Sequence, residues 1–246
     1  MLDDGASTSA PSPPSDKASL PPVVLVHGLA SSFDHGWRQN AWTDLLADAG
    51  RQVVPVDLPG HGAAAGADSD AYADVEGHLA ATIAPHAPVD AVGFSAGARV
   101  LLGMAAHDPA QFRKLVVIGL GDSLFAGGGG REPLAQALEA GPAAAAEQVG
   151  VQLFLRLART AGNDPAEMAA FLRRPEPPLG EAELGRITCP VLVVIGDRDF
   201  SGPADRLAAT LPNAELVVLR NTDHFAAPRD FACIERALAF IDADLP

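Results

Sequence analysis

The chain has 246 residues, 48% of them hydrophobic, and a formal net charge of −14. That length suits one α/β domain with an insertion. The charge argues against a nucleic-acid partner and against an anionic membrane surface, both of which need a basic face, and no apolar run approaches the roughly 18 residues of a membrane span.

Residues 1–21 are rich in proline and serine and lack the basic start and apolar centre of a signal peptide, so they read as a disordered N-terminal arm on a cytoplasmic protein. Val23–Val26 is a β-branched run of the kind buried on both faces of a sheet, and it stops at His27-Gly28. A helical stretch over 41–49 is closed by Gly50. Gln52–Asp57 is the second strand, ended by Leu58-Pro59-Gly60-His61-Gly62, and Ser69 or Asp70 is expected to cap a helix running to Ile83. Val89–Phe94, then a helix over Ala96–His107, then a strand over Lys114–Ile118 continue the alternation, with Asp108-Pro109 as the break before the last of these.

The rhythm lapses between Asp122 and Arg186. Gly127–Gly130 is a flexible run, and the helical spacing of Pro133–Leu138, Ala143–Thr160 and Pro165–Arg173 follows it, closed by Pro175-Glu176-Pro177-Pro178. Alternation resumes with a strand over Val191–Ile195, a helix over Pro203–Leu211, a strand over Glu215–Leu219 and a last helix over Pro228–Ala243. Six strands separated by helices imply an α/β fold with a mostly parallel, doubly wound sheet. Such sheets carry their chemistry beyond the carboxyl ends of the strands, just after Val26, Phe94, Ile195 and Leu219.

Gly93-Phe94-Ser95-Ala96-Gly97 stands where a strand becomes a helix. A sharp turn there leaves room only for small neighbours and projects the Ser95 hydroxyl over the sheet, at a helix N-terminus whose free amides favour negative charge. A serine hydroxyl needs a base to act as a nucleophile. His224, in the loop after the last strand, can serve, and the loop Gly196-Asp197-Arg198-Asp199 offers a carboxylate to fix the imidazole tautomer. The plainer readings are a turn serine, a loop histidine capping the last helix, and surface acids.

His27-Gly28-Leu29, Asp57-Leu58-Pro59-Gly60-His61-Gly62, the Gly-x-Ser-x-Gly turn and Gly196-x-x-Asp199 with His224 are together specific. Over about Pro22 to Asp242 the chain resembles the α/β-hydrolase superfamily, and its small bacterial esterase-like members with a helical cap in particular. The resemblance implies an α/β-hydrolase core over 22–121 and 187–246 with a helical cap, residues 122–186, inserted after the fourth recognisable strand. It implies a catalytic Ser95, His224 and Asp199, with the acid three residues after Gly196 favouring Asp199 over Asp197, and with Asp122 the other alternative because it follows the fourth strand. It also implies an oxyanion hole built from the backbone N–H groups of Leu29 and Ala96. The chain departs from the family pattern at its start, where the usual first two strands have no clear counterpart before Val23.

The expected reaction is hydrolysis of an ester-type bond in a small, largely apolar acyl substrate, with no cofactor and no metal, in a monomer or homodimer. Carbon–carbon bond hydrolysis, natural-product tailoring on the same triad, and a ligand-binding protein with little turnover are the alternatives. His27 is read as shaping the oxyanion loop and His61 as structural. His35, His78, His86 and His107 share no metal spacing, and Trp37 and Trp42 are divided between pocket mouth and core. Cys189 and Cys233 lie outside any ligand pattern and read as buried free thiols.

Overall fold

The computed structural model describes residues 20–126, 130–144, 148–177 and 179–243. Nearly all of the N-terminal arm and most of the glycine run at 127–130 lie outside these residues, as does Pro178. The strands are β1 (Val23–Val26), β2 (Val53–Val56), β3 (Val89–Phe94), β4 (Phe112–Ile118), β5 (Val191–Gly196) and β6 (Ala214–Leu219). The helices are α1 (Phe33–Gly36), α2 (Trp42–Asp48), α3 (Ser69–Ala73), α4 (Val75–Ile83), α5 (Ala96–His107), α6 (Arg131–Ala144), α7 (Val149–Ala161), α8 (Pro165–Arg173), α9 (Glu181–Leu184), α10 (Asp205–Thr210) and α11 (Phe231–Phe240).

The six strands form one sheet in the order β2-β1-β3-β4-β5-β6, and every pairing is parallel. Parallel pairing follows from the helical crossovers between successive strands. β1 and β5 are apolar and buried along their whole length because both sheet faces are covered, while β3 is apolar apart from Asp90, which is buried against Arg51 and Arg113. One face carries a core containing Leu79, Leu101, Leu115 and Leu207, contributed in part by α4, α5 and α10. The other face is filled by Trp37, Trp42, Leu46, Cys233 and Leu238 against Leu25, Val92 and Val194. The order of connection reverses between β1 and β3, which opens a crevice above their carboxyl ends.

The helices expected between β4 and β5 are present as α6, α7 and α8. They close a third, smaller core of Ala135, Leu138, Val151, Leu155, Met168 and Leu172, and that core includes Ala30 from the loop after β1. Several boundaries differ from expectation: β4 starts at Phe112, α10 spans Asp205–Thr210 and α11 spans Phe231–Phe240. The helix of 69–83 is interrupted at Asp74, whose side chain accepts the Gly77 N–H and starts α4 afresh, while Asp68, not Ser69 or Asp70, caps α3 by accepting the Ala71 N–H. Residues 143–144 end α6, past a non-helical Gly141 and Pro142, and α7 begins only at Val149. Both cysteines are buried and free, and burial pushes their thiols up to about 11 (Cys189) and about 12 (Cys233). Among the described residues no helix is long and apolar enough to cross a membrane.

Candidate active site

Ser95 is the residue between β3 and α5, with φ 51° and ψ −111°. A non-glycine residue takes positive φ only where the surroundings impose it. Here the Ser95 N–H donates to Ile118 O at 2.9 Å, and Ser95 O already accepts the Arg99 N–H at 3.0 Å, so both ends of the residue are fixed. The flanking glycines are required by space. A Cβ on Gly93 would lie 2.7 Å from Ala98 Cα, and one on Gly97 would lie 2.4 Å from Val26 O. The tight turn therefore packs directly on the end of β1, and the hydroxyl is left facing the crevice.

His224 and Asp199 come from the loops after β6 and β5. The Ser95 hydroxyl is 3.1 Å from His224 Nε2, and His224 Nδ1 is 2.9 Å from each carboxylate oxygen of Asp199. Asp199 is also clamped: Oδ1 accepts the Ser201 N–H at 2.8 Å and the Ser201 hydroxyl at 2.7 Å. Burial alone would raise the Asp199 carboxyl, but the hydrogen bond and charge of His224 and the two Ser201 bonds outweigh it and hold it below the usual carboxylate range. An ionised Asp199 places the imidazole proton on Nδ1 and leaves Nε2 as the acceptor for Ser95. Three aromatic rings enclose the imidazole, with centroids 4.2 Å (Phe200), 4.8 Å (Phe94) and 5.1 Å (Phe225) away.

The two alternative acids are elsewhere. Asp197 is exposed and its Oδ1 accepts the Thr222 N–H, while Asp122 is exposed at the start of a single turn after β4. Ala96 is the first residue of α5, where backbone N–H groups have no partner within the helix. Leu29 lies in a loop held from below by two buried histidines. His27 Nδ1 is 2.8 Å from Gly28 O, and its Nε2 lies 3.2 Å from both the Leu58 N and Asp57 Oδ1. His61 Nδ1–H donates to Pro59 O at 3.0 Å, and its Nε2 accepts the Ala30 N–H at 3.1 Å. Burial, helped by the field of His27, pushes His61 down to about 3, so it stays neutral. Asn163, after α7, ties the inserted helices to the same loop, accepting the Gly62 N–H at 2.9 Å and donating to Ser31 O at 2.7 Å.

Trp37 and Trp42 are core residues, packed edge to face at 5.1 Å, with the Trp42 indole N–H donating to Pro228 O. A cavity of about 40 Å³ beside the loop after β1 is walled by Leu29, Trp37, Phe94, Leu157 and Phe225. The far larger cleft of about 730 Å³ runs along β2 past Phe33, Asp57 and Thr160, away from Phe94 and Phe225, two rings beside His224 that help wall the smaller cavity. Among the described residues no group of three or more His, Cys, Asp or Glu is placed to hold a metal.

One set of residues, anchored on the helix that follows Ser95, is invisible in the linear sequence. Arg99, one helical turn beyond Ser95, meets Arg131 and Arg174 at the carboxylate of Glu176. These positions are separated by 32, 43 and 2 residues, and only the docking of the inserted helices joins them. The signal that was available is Arg99 at four residues from Ser95, on the same helical side.

Residues 23–233 match the model of the alpha/beta hydrolase family. The chain belongs to that family. A stretch of 105 residues is 35% identical to 2-succinyl-6-hydroxy-2,4-cyclohexadiene-1-carboxylate synthase of Escherichia coli O1:K1 / APEC, covering 42% of this chain and only 40% of that relative's length. Among solved structures, MenH from S. aureus is similar with a TM-score of 0.73 at 20% identity, over 92% of this chain and 95% of that one. A thermophilic esterase from Thermogutta terrifontis, solved with malate bound, is similar with a TM-score of 0.65 at 22% identity, over 90% of this chain and 88% of that one. At those identities the structural likenesses speak for the fold alone.

Proposed function

We propose that this chain is a serine hydrolase that cleaves an ester-type bond of a small substrate through an acyl-enzyme. One observation carries the reading: a continuous hydrogen-bonded line from the Ser95 hydroxyl through His224 to Asp199, starting at a strained turn on a helix N-terminus. Ser95 Oγ attacks the carbonyl carbon while His224 Nε2 takes its proton. Asp199 keeps Nδ1 protonated and stabilises the imidazolium. The N–H groups of Leu29 and Ala96 receive the oxyanion, each worth roughly 3 kcal/mol of transition-state stabilisation. The imidazolium then protonates the leaving oxygen, and a water activated by His224 releases the acyl group. The inserted helices act as the cap over this space. A fluorophosphonate is expected to label Ser95 in the wild type and not in Ser95→Ala, and short p-nitrophenyl esters to turn over at least about 10³-fold faster with the wild type. Equal labelling of the two proteins would overturn the assignment.

A second reading has a specific observation behind it. Three guanidiniums gathered around one carboxylate, in a chain of net charge −14, favour a carboxylate-bearing substrate over a wholly apolar one. The printed name of the E. coli relative describes a succinyl and ring carboxylate product. On this reading the same triad acts on a carbon–carbon or related bond of a small polycarboxylate. It expects weak turnover of neutral esters, formation of the relative's named product from that relative's own substrate, and a KM raised at least tenfold by Arg99→Met. Fast turnover of neutral esters that is unaffected by Arg99→Met favours the first reading instead.

A further inference from the structure

The role assigned below to Glu176 rests on the carboxylate-bearing reading above. Glu176 lies in an irregular strap, Arg174 to Pro177, that follows α8. Its Oε2 is 3.1 Å from Arg99 Nε and 3.1 Å from Arg131 Nη1, and its Oε1 is paired with Arg174 Nη2. Further bonds to the strap come from the same arginines: Arg99 Nη2 donates to Pro177 O at 2.7 Å, and Arg131 Nη2 donates to Arg174 O at 2.9 Å. Pro175 and Pro177 have no N–H with which to join any other ladder. The strap is thus fastened through guanidinium donors, the very groups that recognise a free carboxylate.

The donors outnumber what Glu176 can satisfy. Among the described residues Arg99 Nη1 and Arg131 Nε are buried without a partner, and an unmet donor on a charged group is among the more costly defects of a folded interior. Glu76 lies within the field of Arg99 and Arg174, and burial raises its carboxyl. Arg174 is spoken for on its other side, stacked 3.7 Å over Phe171. Arg99 and Arg131 are the two arginines with capacity left.

We propose that Glu176 is the built-in occupant of an anion subsite, a carboxylate of the chain itself that holds the place of a substrate carboxylate and is displaced by it. Glu176 then sets specificity by charge: a singly charged or neutral ligand does not repay the loss of the Glu176 contacts, whereas a dicarboxylate does. A permanent counterion that merely keeps three arginines aligned makes the opposite prediction.

Succinate is the probe, titrated calorimetrically into the full chain and into Glu176→Gln, Glu176→Asp and Arg99→Met, with fluorophosphonate labelling of Ser95 as the check that each is folded. Glu176→Gln is expected to bind succinate at least tenfold more tightly than the wild type, and Arg99→Met to bind it at least tenfold more weakly. Glu176→Asp keeps the charge but withdraws it from the arginines. It is expected to fall between wild type and Glu176→Gln, and it carries the test if Glu176→Gln does not label. Unchanged or weaker binding by a labelled Glu176 variant would make Glu176 a fixed counterion and end the proposal, leaving the carboxylate reading in place if the wild type binds. No binding by the wild type or by any labelled Glu176 variant would remove the anion subsite, and with it both the proposal and the carboxylate reading, while labelled Ser95 would leave the ester reading standing.

Discussion

The His61 imidazole accepts the backbone N–H of Ala30, one residue beyond the Leu29 amide that is proposed to receive the oxyanion. A histidine from the turn after β2 thereby fixes the loop after β1, and only its neutral form can do so, because the imidazolium has no acceptor nitrogen.

That requirement gives the first prediction. The His61 pKa is lowered to about 3 by burial, against an ordinary 6.5. Between those values the unfolded chain binds a proton that the folded chain refuses, so stability rises with pH across the window. The His61 contribution is fully present above pH 6.5 and is lost as pH falls toward 3. In denaturant titrations from pH 6.5 to 5, above most carboxylate titration, the wild type should lose stability with a slope approaching about 1.4 kcal/mol per pH unit from this group. His61→Gln keeps an acceptor for Ala30 and removes the titration, so its slope should be shallower by that amount. Parallel slopes would show that His61 is free to protonate in the folded state.

The contrast between what the chain discloses and what it conceals follows from distance along the chain. β1 and β5 are legible because burial on both sheet faces demands unbroken apolar runs, and Val23–Val26 and Val191–Ile195 have no other use. Ser95 is legible because the two glycines its turn needs sit within two residues of it. His224 and Asp199 become legible once the strands before them are placed. His61 was readable as structural, but not its bond to Ala30, which spans 31 residues and depends on β1 and β2 being neighbours. The arginines around Glu176 carry no local pattern at all. The break at Asp74 was missed because Val75–Ile83 continues the apolar spacing of the preceding turn, while the capping aspartate resembles any exposed acid.

Asn163 supplies the second prediction. It is buried and ties the inserted helices to the loops after β1 and β2 with two hydrogen bonds, to Ser31 O and to the Gly62 N–H. Asn163→Ala would leave that donor and that acceptor unpaired in a closed space, at a cost of about 1–3 kcal/mol. Because Ser31 is two residues from Leu29, the damage should reach catalysis as well as stability. Thermal unfolding should shift down, and kcat/KM for a p-nitrophenyl ester should fall about tenfold, a fraction of the roughly 3 kcal/mol that one oxyanion donor supplies. Asn163→Asp keeps the acceptor for Gly62 but loses the donor to Ser31, and should fall between the two. Lost stability with unaltered kcat/KM would separate Asn163 from the oxyanion loop.

The strain at Ser95 yields the third. In an ordinary helical or extended position, alanine is more stabilising than glycine by about 0.5–1 kcal/mol, because glycine loses more backbone freedom on folding. At φ 51° and ψ −111° the order should invert. A Cβ at that geometry costs of order 1–3 kcal/mol, and glycine is spared it. Ser95→Ala and Ser95→Gly both lose the hydroxyl and its bond to His224, so their difference isolates the backbone. Ser95→Gly should be the more stable of the pair by about 1 kcal/mol, a shift of about 2–4 °C in Tm for a chain of this size, and both should be inactive toward esters and unlabelled by fluorophosphonate. The usual order, with alanine ahead, would mean that the turn relaxes to accept a side chain without strain, and the hydroxyl would then lack the rigid mount that the proposed acyl-enzyme chemistry requires.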